Sequence, residues 1–330
     1  LLGFNHIQPG GIVAMVAKFK ELLEKSGVEI LLNTRAEELI IKDGAVQGVV
    51  AEKDGKKYDI FTQKTVLATG GFAKSKELMA KYNKEFADNV AFCGTGSTGD
   101  GIAMALEAGA QLTGDGVLGI WGMNDYYGYV GDIGSLVRQT AVYVNKEGKR
   151  FVNEGGRRDV ISQAILAQTD KCAYLVWGSE IESVGKMTQI HAKEFEQLKA
   201  TNLLVQADTL EDAAKAAGID AAALSAEIAE FNSFVDGKKD PKFQKTGAFR
   251  KIAEGPFYIE TVTPSTHHTM GGVAIDAHTR VQSVSGGAIK RLFAAGEVVG
   301  GIHGTNRLGG NAITDIIVFG RIAGSEALKD

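Results

Sequence analysis

Two adjacent imidazoles, His267 and His268, stand in the run Thr266-His267-His268-Thr269-Met270-Gly271-Gly272, and the same third of the chain carries Gly296-Glu297 and His303-Gly304-Thr305-Asn306-Arg307-Leu308-Gly309-Gly310-Asn311-Ala312. Imidazoles, a guanidinium and backbone amides left open by glycine are the groups that grip a planar anion. The helical pattern from Ala312 to Ala323 would turn its first amides toward a diphosphate or the pyrimidine carbonyl of a flavin. A zinc reading fails on spacing, because adjacent histidines diverge and no cysteine or HxxxH run accompanies them. No metal site is expected.

Two more glycine turns follow apolar strands, in Thr65-Val66-Leu67-Ala68-Thr69-Gly70-Gly71-Phe72 and in Arg291-Leu292-Phe293-Ala294-Ala295-Gly296-Glu297. Such turns suit an open α/β sheet that binds its ligand beyond the carboxyl ends of its strands. Gly94-Thr95-Gly96-Ser97-Thr98-Gly99 has GxGxxG spacing, and a helix-like run from Gly101 to Ala110 follows it. The segment ahead of it, Phe86 to Cys93, is a weak strand away from any first βα turn. The loop therefore reads first as a glycine-rich part of a larger site, with Asp100 open to a ligand hydroxyl, and second as a dinucleotide fingerprint.

The elements that must carry these loops have their own patterns. Ile12 to Lys25 spaces its apolar residues as a helical stripe, and Val28 to Leu32 reads as a strand. Asp43-Gly44 and Asp54-Gly55 punctuate a small β-meander that leads into the strand ending at Gly70. Farther on, Val142 to Val144 and Arg150 to Val152 bracket a hairpin around Asn145-Lys146-Glu147-Gly148. Helical patterns fill 179–239, with start signals at Thr209 and Asp220 and a solvated turn at Asp236-Gly237-Lys238-Lys239-Asp240. After Pro264 the glycine-rich style of the first part returns. The middle is thus expected to be an inserted domain, 116–260, between two parts, 1–115 and 261–330, of one discontinuous α/β domain.

A 330-residue chain with 44% hydrophobic and 23% charged residues can bury such cores, and its net charge of −4, both signs interspersed, excludes the basic footprint of a nucleic-acid binder. No apolar run approaches the ~18 residues that a membrane-spanning helix needs. Cys93 and Cys172 lack CxxC or Cys/His spacing and read as two small buried hydrophobes. The 42 glycines cluster without a period, which excludes collagen and solenoid architectures.

The tail motifs, with Ala68-Thr69-Gly70-Gly71-Phe72, Gly99-Asp100-Gly101 and Asn145-Lys146-Glu147-Gly148-Lys149-Arg150-Phe151-Val152-Asn153-Glu154, resemble the fumarate reductase/succinate dehydrogenase flavoprotein family along essentially the whole chain. The likeness is to its soluble flavocytochrome and urocanate-reductase branch. It implies a Rossmann-like FAD-binding domain carrying an inserted α+β capping domain, and hydride transfer from FAD to the C=C bond of a small unsaturated carboxylate. By motif position Arg158 would deliver the proton, with Arg138 and Asp159 in its surroundings. His267 and Arg307 would hold the substrate carboxylate. Ala36, Thr69, Gly70, Asp100, His268, Glu297, Gly310, Asn311, Ala312 and Ile313 would contact FAD. A haem or FMN module would donate electrons, and the resemblance leans toward the periplasm or cell envelope, with the cytoplasm as the alternative.

The pattern departs from the family at three places. Ser135 stands where the relay acid is found, with Asp132 a candidate substitute, and Ile120-Trp121-Gly122-Met123-Asn124-Asp125-Tyr126-Tyr127 replaces the His-Pro-Thr run that receives the second carboxylate of fumarate. An aromatic-rich lining suits a urocanate- or cinnamate-like monocarboxylate better than a C4 dicarboxylate, since a charge left unpaired against it costs several kcal/mol, of order ~2–5. No strand with GxGxxG precedes Phe4, so the chain reads as a fragment. The competing expectations are a flavin dehydrogenase of a cyclic ketone, similar to ketosteroid dehydrogenases, and an FAD-binding module without activity.

Overall fold

The computed structural model describes residues 11–82, 84–88, 90–113, 122–127, 140–190, 192–304 and 307–329. In chain order they form α1 (Gly11–Lys25), β1 (Arg35–Lys42), β2 (Ala45–Lys53), β3 (Lys56–Phe61), β4 (Thr65–Leu67), α2 (Lys76–Tyr82), β5 (Val90–Ala91), α3 (Asp100–Glu107), β6 (Gly122–Tyr127) and β7 (Val142–Val144). There follow α4 (Arg158–Leu166), β8 (Ala173–Trp177), α5 (Ser179–Gly185), α6 (Met187–Ile190), α7 (Ala192–Ala200), β9 (Leu204–Ala207), α8 (Leu210–Ala217), α9 (Ala221–Val235), β10 (Phe257–Thr269), β11 (Arg280–Gln282), β12 (Ala288–Ala294) and α10 (Asn311–Ala327). The chain divides into one compact unit of 1–83, 95–121 and 269–330 and a second of 84–94 and 122–268.

The first unit is built on a mixed sheet whose path, β1-β2-β12-β11, has β3 beside β2 and β4 beside β12. β1, β2 and β3 pair antiparallel, and β12 runs parallel to β4 and β2. The meander follows from its turns. Asp43 and Gly44 take φ of 52° and 70°, Asp54 and Gly55 take 53° and 74°, and two successive positive φ values give the turn whose twist matches the flanking strands. Val46, Leu67, Phe72, Ile102, Leu292 and Val298 are buried in its core.

In the second unit β10 is the hub: it pairs with β5, β6, β8 and β9, and β8 carries β7 at its far side. Its five-residue register with β8, Tyr258 opposite Trp177 through Val262 opposite Ala173, covers one half of the strand; Ser265 and Thr266 pair in parallel with Val90 and Ala91 at the other. Trp177, Tyr143, Phe195, Phe231, Ile161 and Met187 are fully buried in one cluster. Thr209 and Asp220 cap α8 and α9 as their sequence positions predict, Thr209 Oγ1 accepting the Asp212 N–H at 3.1 Å and Asp220 Oδ1 the Ala223 N–H at 2.9 Å.

Several expectations need correction. Val28 to Leu32 forms no strand; with no partner among the described residues its apolar side chains stay exposed, as do Val16, Phe19 and Leu22 on α1. Arg150 to Val152 contributes a single bridge, Val144 to Arg150, because β7 pairs with β8 instead of closing a hairpin. Asp240 is not solvated: a buried guanidinium has drawn it inside. Neither cysteine forms a disulfide among the described residues, and both are half-buried rather than buried.

Candidate functional site

β4 and β12 end side by side, stitched by the Ala295 N–H donating to the Leu67 carbonyl at 3.0 Å, so both glycine turns leave the same edge of the first unit's sheet. Gly70 (φ 74°) and Gly296 (φ 78°) take left-handed backbone that other residues adopt with strain. At Gly71 a Cβ would fall on the Glu297 carboxylate and the Thr269 hydroxyl. Glu297 Oε1 accepts the Thr269 N–H at 2.9 Å, which fixes the carboxylate beside that glycine. Thr69 packs against Gly101 at the start of α3, its buried Oγ1 without a hydrogen-bond partner among the described residues. Gly99, the last glycine of the GxGxxG run, is the left-handed residue before α3, and a Cβ there would strike Leu78 and Phe72. Because β5, the strand ahead of that run, lies in the other sheet, this loop is no βα turn.

Asp100 opens α3 and binds Arg35 Nε at 2.9 Å; burial opposes its charge, yet Arg35 and Thr98 hold the carboxyl below its ordinary range. Ala36 sits at a register shift in β1, and α10 starts at Asn311 after Gly310, whose φ of 84° supplies no side-chain cap. Ala312 and Ile313 lie in the helix's first turn, and the Ile313 N–H donates to the Gly310 carbonyl at 3.0 Å. Arg307, buried, precedes them, and its Nη1 donates to the Leu308 carbonyl at 3.3 Å. A helix amino end capped by bare glycine, two glycine turns at parallel strand ends, a fixed carboxylate and an orphaned buried hydroxyl fit an extended polar dinucleotide such as FAD.

The second unit holds the remaining predicted residues. His267 and His268 alternate on β10, His267 half-buried and His268 buried. His267 Nδ1 lies 2.7 Å from the Phe92 carbonyl, and the two rings stack at 6.1 Å. Arg158 and Asp159 occupy the first turn of α4. Arg138, like Trp121, Asp132 and Ser135, lies outside the described residues.

Two features escaped the sequence. In the second unit Arg150 donates from Nε and Nη2 to Glu154, both at 2.8 Å, and from Nη2 to Asp240 at 2.7 Å, while Lys245 Nζ lies 3.3 Å from Glu154. Burial works against the Arg150 charge, but the two carboxylates outweigh it; at Lys245 burial wins and lowers the ammonium. The Arg150/Glu154 spacing of four was a signal available for half of this cluster. In the first unit His303 Nε2 lies 3.2 Å from Asp315 Oδ2, a pair twelve residues apart that no local pattern announces.

A family model described as "FAD binding domain" matches residues 4–313. The "NADH:acrylate oxidoreductase" of Vibrio harveyi is 38% identical over 97% of this chain and 32% of its own length. The "Fumarate reductase (cytochrome)" of Shewanella frigidimarina is 39% identical over 92% of this chain and 52% of its own. The "Urocanate reductase" of Eggerthella lenta is 36% identical over 96% of this chain and 53% of its own. A solved structure, the open conformation of a flavocytochrome c3 fumarate reductase, superposes with a TM-score of 0.78 at 35% identity, covering 96% of this chain and 56% of that one. The chain thus spans between a third and about half the length of these relatives.

Proposed function

This chain belongs to the FAD-binding-domain family, and from that premise we propose that it is the substrate-reducing part of an FAD-dependent reductase of α,β-unsaturated carboxylates. The observation that carries the reading is Arg307: a buried guanidinium three residues ahead of a glycine-capped helix amino end, in a unit whose strand ends fit FAD. The planar fork of guanidinium donors matches the two oxygens of a carboxylate, which suits Arg307 to that role.

FAD, when bound, supplies the hydride that adds to the alkene. Arg307 binds the substrate carboxylate and draws charge from the conjugated C=C, which favours hydride attack. His267 gives a further hydrogen bond to the substrate, and Arg158 supplies the proton that completes the CH–CH product, with Arg138 and Asp159 belonging to its surroundings. A guanidinium, with a pKa above ~12, donates only if it is resupplied in a dry site. Thr69, Gly70, Asp100, His268, Glu297, Gly310, Asn311, Ala312 and Ile313 would hold FAD, with Ala36 toward its adenosine end. Electrons come from a haem or FMN module. The substrate is a monocarboxylate with an apolar or aromatic body; the aromatic-rich run at 120–127 supports this, as do the names of relatives that act on acrylate and urocanate.

Dithionite-reduced, FAD-loaded protein should be reoxidised anaerobically by urocanate, cinnamate or acrylate, faster than by fumarate. Turnover of a steroid with no reoxidation by any enoate would defeat the reading. Fumarate as the fastest oxidant would defeat only the assignment of a monocarboxylate.

A further inference from the structure

Arg35 is the first residue of β1, and its side chain is 67% exposed. Glu52 stands directly opposite it in the register with β2, so the sheet itself offers a carboxylate. Arg35 Nε instead donates to Asp100 Oδ2 at 2.9 Å, reaching the first residue of α3, 65 positions along the chain. The backbone on both sides of Asp100 is tied to the turn after β4. The Gly99 N–H donates to the Gly71 carbonyl at 3.1 Å, and Gly101 lies so close to Thr69 that a Cβ would fall on its hydroxyl. What the backbone leaves unset is the Asp100 side chain, 29% exposed beside the edge whose shape fits FAD.

We propose that Arg35 is a positioning residue for FAD binding, aiming the Asp100 carboxylate so that it accepts a hydroxyl of the cofactor, on its ribityl chain or its ribose. The contact joins one nitrogen to one oxygen. A carboxylate has about four acceptor sites, so a single Nε–H bond to Oδ2 pins its orientation and still leaves room for a hydroxyl donor. Burial opposes the Asp100 charge, and Arg35 and Thr98 together outweigh it, which keeps the group a pure acceptor. An acceptor aimed before the ligand arrives binds it without the cost of ordering a free side chain. Arg35 itself does not touch FAD in this role; it acts through Asp100.

The role presupposes that Asp100 is among the residues that hold FAD, as proposed above, and the two can fail separately. Affinity is read from the change in flavin absorbance when FAD is added to the full chain stripped of cofactor, with FMN, which has the ribityl but not the ribose hydroxyls, as second ligand. Asp100→Asn should weaken FAD binding about tenfold or more, Arg35→Gln about five- to tenfold, and Arg35→Lys, which restores a cation, less than about threefold. Arg35→Gln combined with Asp100→Asn should bind FAD no more weakly than Asp100→Asn alone, because both changes act through one carboxylate. An exposed ion pair adds little stability, so the urea midpoint of Arg35→Gln should stay at the parent value while its affinity falls. A matching loss for FMN assigns the hydroxyl to the ribityl chain, and a loss for FAD alone assigns it to the ribose. Parental FAD affinity in Asp100→Asn would remove Asp100 from the FAD residues and the role of Arg35 with it. Weakening by Asp100→Asn but not by Arg35→Gln, or additive losses in the double variant, would overturn the positioning role alone.

Discussion

At Gly71 a single methyl group would take the space of the Glu297 carboxylate and the Thr269 hydroxyl, so Gly71→Ala must push Glu297 off the Thr269 amide. Both belong to the edge where the strands end, and the expected result is at least a tenfold loss of FAD retained on purification, measured by flavin absorbance per chain, with little change in far-UV circular dichroism. His267 makes a different argument, from tautomers. A carbonyl only accepts, so the bond to Phe92 puts a proton on Nδ1, and in the neutral ring Nε2 is then an acceptor. Donation to a carboxylate through Nε2 requires the imidazolium. His267→Gln, whose amide donates without carrying a charge, should therefore keep turnover at an about tenfold higher KM for the enoate. An unchanged KM in the variant assigns the carboxylate contact to another group.

Elements whose cause is local were readable in advance, and those made by distant partners were not. The Asp-Gly turns at 43–44 and 54–55 and the caps Thr209 and Asp220 each act through a few neighbouring atoms, and each stands where its residue types put it. Asp220→Ala should accordingly cost about 1 kcal/mol in urea unfolding. Asp240 was misread because nothing near it in sequence shows that Arg150, ninety residues away, needs a second carboxylate. That cluster ties the segment ahead of α4 to the loop after α9, with the Arg150 guanidinium also over the Phe231 and Phe243 rings at 4.9 and 5.1 Å. Glu154→Gln keeps the shape but leaves Arg150 and Lys245 to share Asp240. Breaking such a buried network costs about 3–5 kcal/mol, well above the cap, and the urea midpoint should fall in that order.

Over the whole chain, the first unit's share of the candidate site was the part that local sequence motifs announced. Strand-end glycines, Glu297, Arg307 and the α10 amino end are local motifs, whereas the β10 hub joins segments from 90 to 266 that share no pattern. The same distinction governs how stability should respond to pH. A net charge of −4 with interspersed signs provides no large self-repulsion, so individual buried groups set the response. Glu260 is the strongest of these in the second unit: on β10 between β8 and β9, its Oε1 unpartnered among the described residues, burial pushes its carboxyl up to about 8 from an ordinary 4.5. The folded state therefore holds this proton more tightly than the unfolded chain. Its contribution is fully present below the unfolded value and is lost as pH rises toward the folded one, since only the unfolded carboxyl ionises freely in between. Stability should decline from about pH 4.5 to 8 with a limiting slope of about 1.4 kcal/mol per pH unit from this one group. Glu260→Gln removes the ionisation while keeping the size, so its urea midpoint should exceed that of the parent at pH 7.5, match it closely near pH 4.5, and show a flatter profile between. A parent profile already flat over that window would mean that the carboxyl reaches water or a cation in solution.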